Sequence, residues 1–219
     1  MLETLEAATK EDQREGLSAY PRYRVLTAEI ARQHGFPPDA GAAVFAALSP
    51  NNGYLGNLRD TNRLLLAVAS GGKLGKHLKV STYGANRSKA LRIAFGEPPL
   101  SVLSGRKVRS FFTNITHPED EHTVTVDGHM YNAWHGERKP LMAQRRSITP
   151  LLYEEIASDI RQLAHQAGQP PWAVQATLWF TWRRLNGISN GQLWLWDADV
   201  EAAGLGFRYL PESGQTALH

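Results

Sequence analysis

Apolar residues recur along most of this chain at the three- and four-residue spacing of helices that bury one face, and Gly, Pro and Asn clusters interrupt them. The pattern predicts a first helix over residues 2–17 and a second over 23–34, ended by Gly35 and the Pro37-Pro38 pair. Asp39 is placed to cap a third, a small-residue apolar run over 41–49 that stops at Pro50. Beyond a turn at Asn51-Asn52-Gly53, Leu58, Leu64, Leu65 and Val68 mark a helix over 55–69, closed by Gly71-Gly72. A short helix over 86–95 ends at Gly96 and Pro98-Pro99, and another over 102–115 carries Ser104-Gly105-Arg106-Lys107 in its first turn.

Residues 123–126, Thr-Val-Thr-Val, read as extended, and Asp127 then opens a helix containing Met130, Tyr131 and Trp134. A basic loop over 136–147 leads to Thr149-Pro150, the start of a helix reaching Ala167. A break at Gly168-Gln-Pro-Pro171 precedes a last strong helix over 172–185, which stops at Asn186-Gly187; the tail from Gly191 is rich in Trp without a clear period. Extended pieces are too few for a central sheet, so the expected fold is all-α. With 219 residues the chain is expected to form a single domain, 1–219.

Composition narrows the class of protein. An apolar share of 42% with six Trp, seven Tyr and seven Phe excludes disorder. No apolar run approaches the roughly 18 residues that cross a bilayer, and the first twenty residues are too polar for a signal peptide. No membrane partner is therefore expected, and the protein is expected inside the cell, cytoplasmic or nucleoid-associated. The absence of cysteine excludes disulfides, a thiol nucleophile and a cysteine-held iron–sulfur cluster. A net charge of +3 is mild, but the cations cluster at Lys73–Lys79, Arg87–Arg92, Arg106–Arg109, Arg138–Arg146 and Arg183-Arg184, which permits a polyanionic partner without demanding one.

Two places carry candidate chemistry. Lys107 lies in the opening turn of a helix, beside Arg106 and Arg109, where backbone N–H groups point outward and attract anions. Cationic neighbours there favour a deprotonated amine able to form a Schiff base; the plainer reading is three cations on a solvated surface. Asp127 stands between an extended run and a helix, and on its own reads first as an N-cap. His129 is expected to be structural, and the spacing of His117, His122, His129 and His135 matches no metal motif. No metal is assigned.

The segment Thr-Val-Thr-Val-Asp127-Gly-His129-Met-Tyr resembles the Val-Asp-x-His segment of the helix-hairpin-helix DNA glycosylases, most closely the 8-oxoguanine enzymes. Lys107, 20 residues before Asp127, falls where that family keeps its nucleophile. Ala47-Leu-Ser-Pro-Asn51-Asn52 resembles the segment that fills the gap left by an extruded base, so the resemblance implies Asn51 or Asn52 as the DNA wedge. Asn86-Arg87-Ser-Lys89-Ala90 resembles the helix before the hairpin, and Trp172-Ala-Val-Gln175-Ala-Thr-Leu-Trp179 the late helix that holds the flipped base, which implies Gln175 and Trp179 as base pocket. Gly105, Arg106, Arg109, Arg87 and Lys89 are then the expected contacts to the DNA backbone.

The resemblance covers residues 45–185 and implies two helical lobes around a DNA-binding cleft: lobe one from 1–48 plus 127–219, lobe two from 49–126. One departure stands out. The family hairpin reads Leu-Pro-Gly-x-Gly-x-Lys, whereas Val102-Leu-Ser-Gly105-Arg-Lys107 keeps one glycine and is shorter, which puts the hairpin's grip on phosphate and on its customary monovalent cation at issue. No other cofactor is implied. The implied activity is removal of a damaged or modified base from double-stranded DNA by a monomer. Lys107 attacks the sugar, Asp127 assists, and strand cleavage follows by lyase chemistry. The alternatives are a related protein of phage-type DNA base hypermodification, a non-catalytic DNA clamp, and a helical structural protein.

Overall fold

The structure, a computed structural model, describes residues 1–71, 78–138 and 148–188. Residues 73–77 of the first basic cluster, 139–147 of the basic loop and the Trp-rich tail lie outside the described residues. All regular elements among those described are α-helices, as the hydrophobic spacing predicts: α1 (Leu2–Glu6), α2 (Lys10–Gln33), α3 (Pro38–Leu48), α4 (Tyr54–Ala69) and α5 (Gly84–Ala94) come first. They are followed by α6 (Pro99–Val102), α7 (Arg106–Thr116), α8 (Gly128–His135), α9 (Pro150–Ala167) and α10 (Pro171–Leu185).

Three boundaries differ from expectation, each for a local physical reason. The first two predicted helices are divided at Ala7–Thr9 rather than between 17 and 23, and α2 runs through Pro21. Thr9 starts α2 with a capping box: its hydroxyl accepts from Asp12 N (3.1 Å) while the Asp12 carboxylate accepts from Thr9 N (2.9 Å). Pro21 removes one backbone donor, but Ala19, Tyr20 and Arg22 around it are buried, so packing carries the helix across. Asp39 is the second residue of α3 and not its cap, which is Pro37. The helix expected over 102–115 is interrupted instead: α6 ends at Val102, Gly105 turns with φ +82°, and α7 begins at Arg106.

Two apolar cores result. The larger gathers α2 and α3 with residues from α4 to α7, including Leu26, Ile30, Phe45, Leu58, Leu65, Ile93 and Ile115. The smaller joins Val124, Val126 and Met130 to Ile156 and Ile160 of α9. Helix α10 serves both, giving Trp172, Ala176 and Phe180 to the first and Val174, Leu178 and Trp182 to the second. Trp172 and Trp182 are buried packing residues, as their spacing predicts.

Close helix crossings depend on missing side chains. A Cβ on Gly16 of α2 would stand 2.0 Å from Thr177 Oγ1 of α10, and one on Gly41 of α3 would stand 2.0 Å from the Thr27 carbonyl of α2. The extended leg 123–126 has no partner strand among the described residues; side chains satisfy it. Asn114 Nδ2 donates to Thr123 O (2.8 Å), Val126 N donates to the Tyr153 hydroxyl (3.1 Å), and that hydroxyl donates to Val124 O (2.9 Å). This leg delivers Asp127 to the junction of the two cores. Among the described residues no helix is long and apolar enough to cross a membrane.

Candidate active site

A cleft of about 820 Å³ opens between α2, the α3–α4 turn, α5, α7, the 125–129 leg and α10. Lys107 and Asp127, 20 residues apart in sequence, both line it, together with Gln175, Trp179, Asn51, Asn52, Lys89, Gly105 and Arg106. Arg87 and Arg109 are not part of its lining. Arg87 instead donates to the Leu78 carbonyl (3.1 Å), and Arg109 to that of Leu100 (3.1 Å), so each braces its own segment.

Asp127 is the N-cap that its sequence position predicts, and it does more. Oδ1 accepts from the backbone N–H of His129 and of Met130 (2.9 Å each), whereas Oδ2 accepts from the indole N–H of Trp179 (3.1 Å). The carboxylate is thus clamped by α8 from one side and α10 from the other. Trp179 carries the Arg183 guanidinium over its ring, 4.3 Å from the centroid. Arg183 Nη1 in turn approaches His129 Nε2 at 3.2 Å. A guanidinium only donates, so His129 accepts there and carries its proton on Nδ1, which is buried without a hydrogen-bond partner among the described residues. Burial lowers the His129 pKa below that of a free imidazole; nearby Asp127 opposes this, and Arg183, Lys107 and Arg138 reinforce it. His129, which also lines the cleft, is a neutral imidazole at pH 7.

Gln175 is buried in the cleft wall and accepts from the Tyr20 hydroxyl at 2.7 Å. Burial pushes the Tyr20 phenol well above its ordinary pKa, so the hydroxyl keeps its proton and remains the donor. The two wedge candidates separate. Asn52 is tied to Asp60 Oδ2 (3.0 Å), which also takes the Ser81 N–H (2.6 Å). Asn51 stands exposed at the mouth with φ +57° and donates to the Tyr83 hydroxyl. Lys89 Nζ donates to Ser104 Oγ (2.5 Å), linking α5 to the turn before α7, and Arg106 reaches the Pro150 carbonyl (3.1 Å) and Glu154 (3.8 Å) across the mouth.

Sequence reasoning missed the other wall and one of the cations. Tyr20, Tyr23, Tyr54 and Phe111 line the cleft, and so does Arg183, which the sequence offers only as half of a basic pair. Its neighbour Arg184 turns away to bind Asp12 Oδ2 (2.9 Å) at the start of α2. The i, i+3 pairing of Tyr20 and Tyr23 was a usable signal, hidden by the helix break expected between them. Among the described lining residues Lys89, Arg106, Lys107 and Arg183 are cationic and Asp127 alone is acidic. Such a site suits an anionic ligand that also presents flat apolar surface.

The fold and cleft thus define an all-helical protein with a cation-rich, aromatic-walled groove at the junction of two cores. Residues 1–186 match the family of unknown function DUF7178, and the chain belongs to that family. No curated protein and no solved structure matches it.

Proposed function

We propose that the protein is a DNA glycosylase of the helix-hairpin-helix kind, acting on a damaged or modified base in double-stranded DNA. The observation that carries this reading is the meeting of Lys107 and Asp127 in one cation-rich cleft, with Gln175, Trp179 and Asn51 around them. A base inside the stack is out of reach of both side chains, so the target nucleotide is extruded and Asn51 enters the space that it leaves. Lys107 Nζ attacks C1′ and the C1′–N bond breaks, its electron pair leaving with the base, which takes up a proton. The Asp127 carboxylate, held by three N–H donors, stands beside the positive charge that develops on the sugar. Loss of the Lys107 proton and ring opening give a Schiff base, from which β-elimination cleaves the strand.

Borohydride trapping on duplexes with oxidised, deaminated or hypermodified bases tests the assignment. The parent protein is expected to form a covalent adduct, and Lys107→Ala none. An adduct that survives Lys107→Ala overturns the nucleophile; base release without any adduct leaves Asp127 to direct water. A second reading, action on a hypermodified base, is favoured by cleft size: about 820 Å³ lies toward the upper end of ligand pockets and leaves room for a bulky base substituent.

A further inference from the structure

The recess between α2, α3, α4 and α7 takes no part in the chemistry described so far. Its wall is a set of rings in mutual contact. Tyr23 lies edge-on to Tyr20 and to Phe111, each 5.8 Å between centroids, and tilted against Phe45 (5.6 Å) and Tyr54 (5.4 Å). Tyr20 and Phe45 are buried, but Tyr23, Tyr54 and Phe111 keep part of their surface in the cleft. Partly exposed rings on several helices offer a planar ligand both stacking and edge contacts.

Both ends of this recess are polar. At the α10 end the Tyr20 hydroxyl donates to Gln175 Oε1, which leaves the amide N–H groups of this cleft-lining residue as its donors. At the α4 end Asn57 Nδ2 donates to the Phe45 carbonyl (2.9 Å). Asn57 Oδ1, in a residue only 2% exposed, has no hydrogen-bond partner among the described residues, although Asn57 lines the cleft. A buried acceptor without a donor is costly, and a ligand N–H that reached it would remove that cost. Trp179 offers less to a ligand. The Arg183 guanidinium covers one face of its ring, and its N–H is engaged by Asp127.

The geometry points to the Tyr23–Tyr54–Phe111 recess as the slot that receives the extruded base, a planar uncharged heterocycle bearing an N–H donor for Asn57 Oδ1 and an acceptor for the Gln175 amide. Trp179 is then a positioning residue that orients the Asp127 carboxylate, and not the surface on which the base stacks. This inference rests on the reading of the cleft as a site for a DNA base.

Photo-crosslinking of the full chain to a duplex carrying 5-iodouracil mispaired with guanine, a base that leaves the stack readily, tests it directly. Peptide mapping is expected to find the adduct on Tyr23, Tyr54 or Phe111. An adduct on Trp179 overturns the recess and leaves DNA-base extrusion standing. Absence of any cleft adduct overturns the recess as well, and if the mispaired duplex also binds no better than a paired one, the DNA-base reading falls with it. Two variants, checked for native helicity by circular dichroism, give an independent readout. Tyr23→Leu is expected to lower the preference for mispaired over paired duplex by roughly tenfold. Trp179→Phe keeps a ring but loses the N–H to Asp127, and is expected to keep that preference while kcat for base release falls. The reverse pattern overturns the proposal.

Discussion

Asp127 shows how one side chain serves stability and the proposed chemistry through different atoms. Oδ1 caps α8 and Oδ2 takes the Trp179 indole. Asp127→Asn retains an acceptor for the cap but sets an N–H donor against the Trp179 indole N–H, so it is expected to lose about 1 kcal/mol in denaturant unfolding while base release falls about 10²–10³-fold. Asp127→Ala removes the cap as well and is expected to lose a further 1 kcal/mol or so in denaturant unfolding. Borohydride and melting data on the pair separate the two roles. His129 supplies a pH signature. Its folded pKa lies below the unfolded value, so its neutral form stabilises the fold above the unfolded pKa, and that contribution is lost as pH falls through this value toward the folded pKa. Unfolding free energy is expected to drop between about pH 7.5 and 5.5, where free carboxylates remain ionised, and the drop is expected to shrink in His129→Gln. At this scale the sequence was legible where role follows from local position. Asp127 reads as a cap from its neighbours alone, whereas the contact between Oδ2 and a tryptophan 52 positions later has no local sign.

Helix α2 is the element on which expectation and structure part most clearly. Caps act locally and can be read locally: Thr149 and Asp127 are found where predicted, and the Thr9–Asp12 box, though overlooked, is written in the same signals. Pro21 is different, since the lost hydrogen bond is a local penalty and the burial that offsets it comes from α3 and α10. The crossings of α2 with those two helices rest on glycine. Gly16→Ala would drive a methyl group into Thr177 Oγ1 and the Thr177 backbone, and Gly41→Ala into the Thr27 carbonyl. Each is expected to cost about 1–3 kcal/mol in chemical denaturation, because backbone must shift to admit the methyl. Gly16→Ala is also expected to disturb ligand binding more than Gly41→Ala, since Tyr20 and Gln175, which bond across the same crossing, line the cleft.

On the scale of the whole molecule, a net charge of only +3 conceals a cleft where four cations face one carboxylate. If the cleft holds DNA as proposed, duplex affinity is expected to fall linearly with the logarithm of salt concentration. Neutralising Lys89, Arg106 or Arg183 is expected to reduce that slope by about one each. Arg87→Gln and Arg109→Gln, whose side chains brace carbonyls away from the cleft lining, are expected to leave it unchanged. Binding isotherms at several salt concentrations distinguish the two groups.

What the sequence by itself determined is the all-helical class, most element ends, the capping role of Asp127 and the packing roles of Trp172 and Trp182. All of these follow from spacing, capping and turn chemistry within a few residues. Tertiary structure decided the rest: that α2 survives Pro21, that Asn52 is tied to Asp60 while Asn51 stands exposed at the mouth of the cleft, that Arg183 joins the site while Arg184 leaves it, and that an aromatic wall lines the same cleft as Lys107 and Asp127. Each of these depends on what lies across a helix crossing or a turn, where a side chain's partner is set by distance in space and leaves no period in the chain.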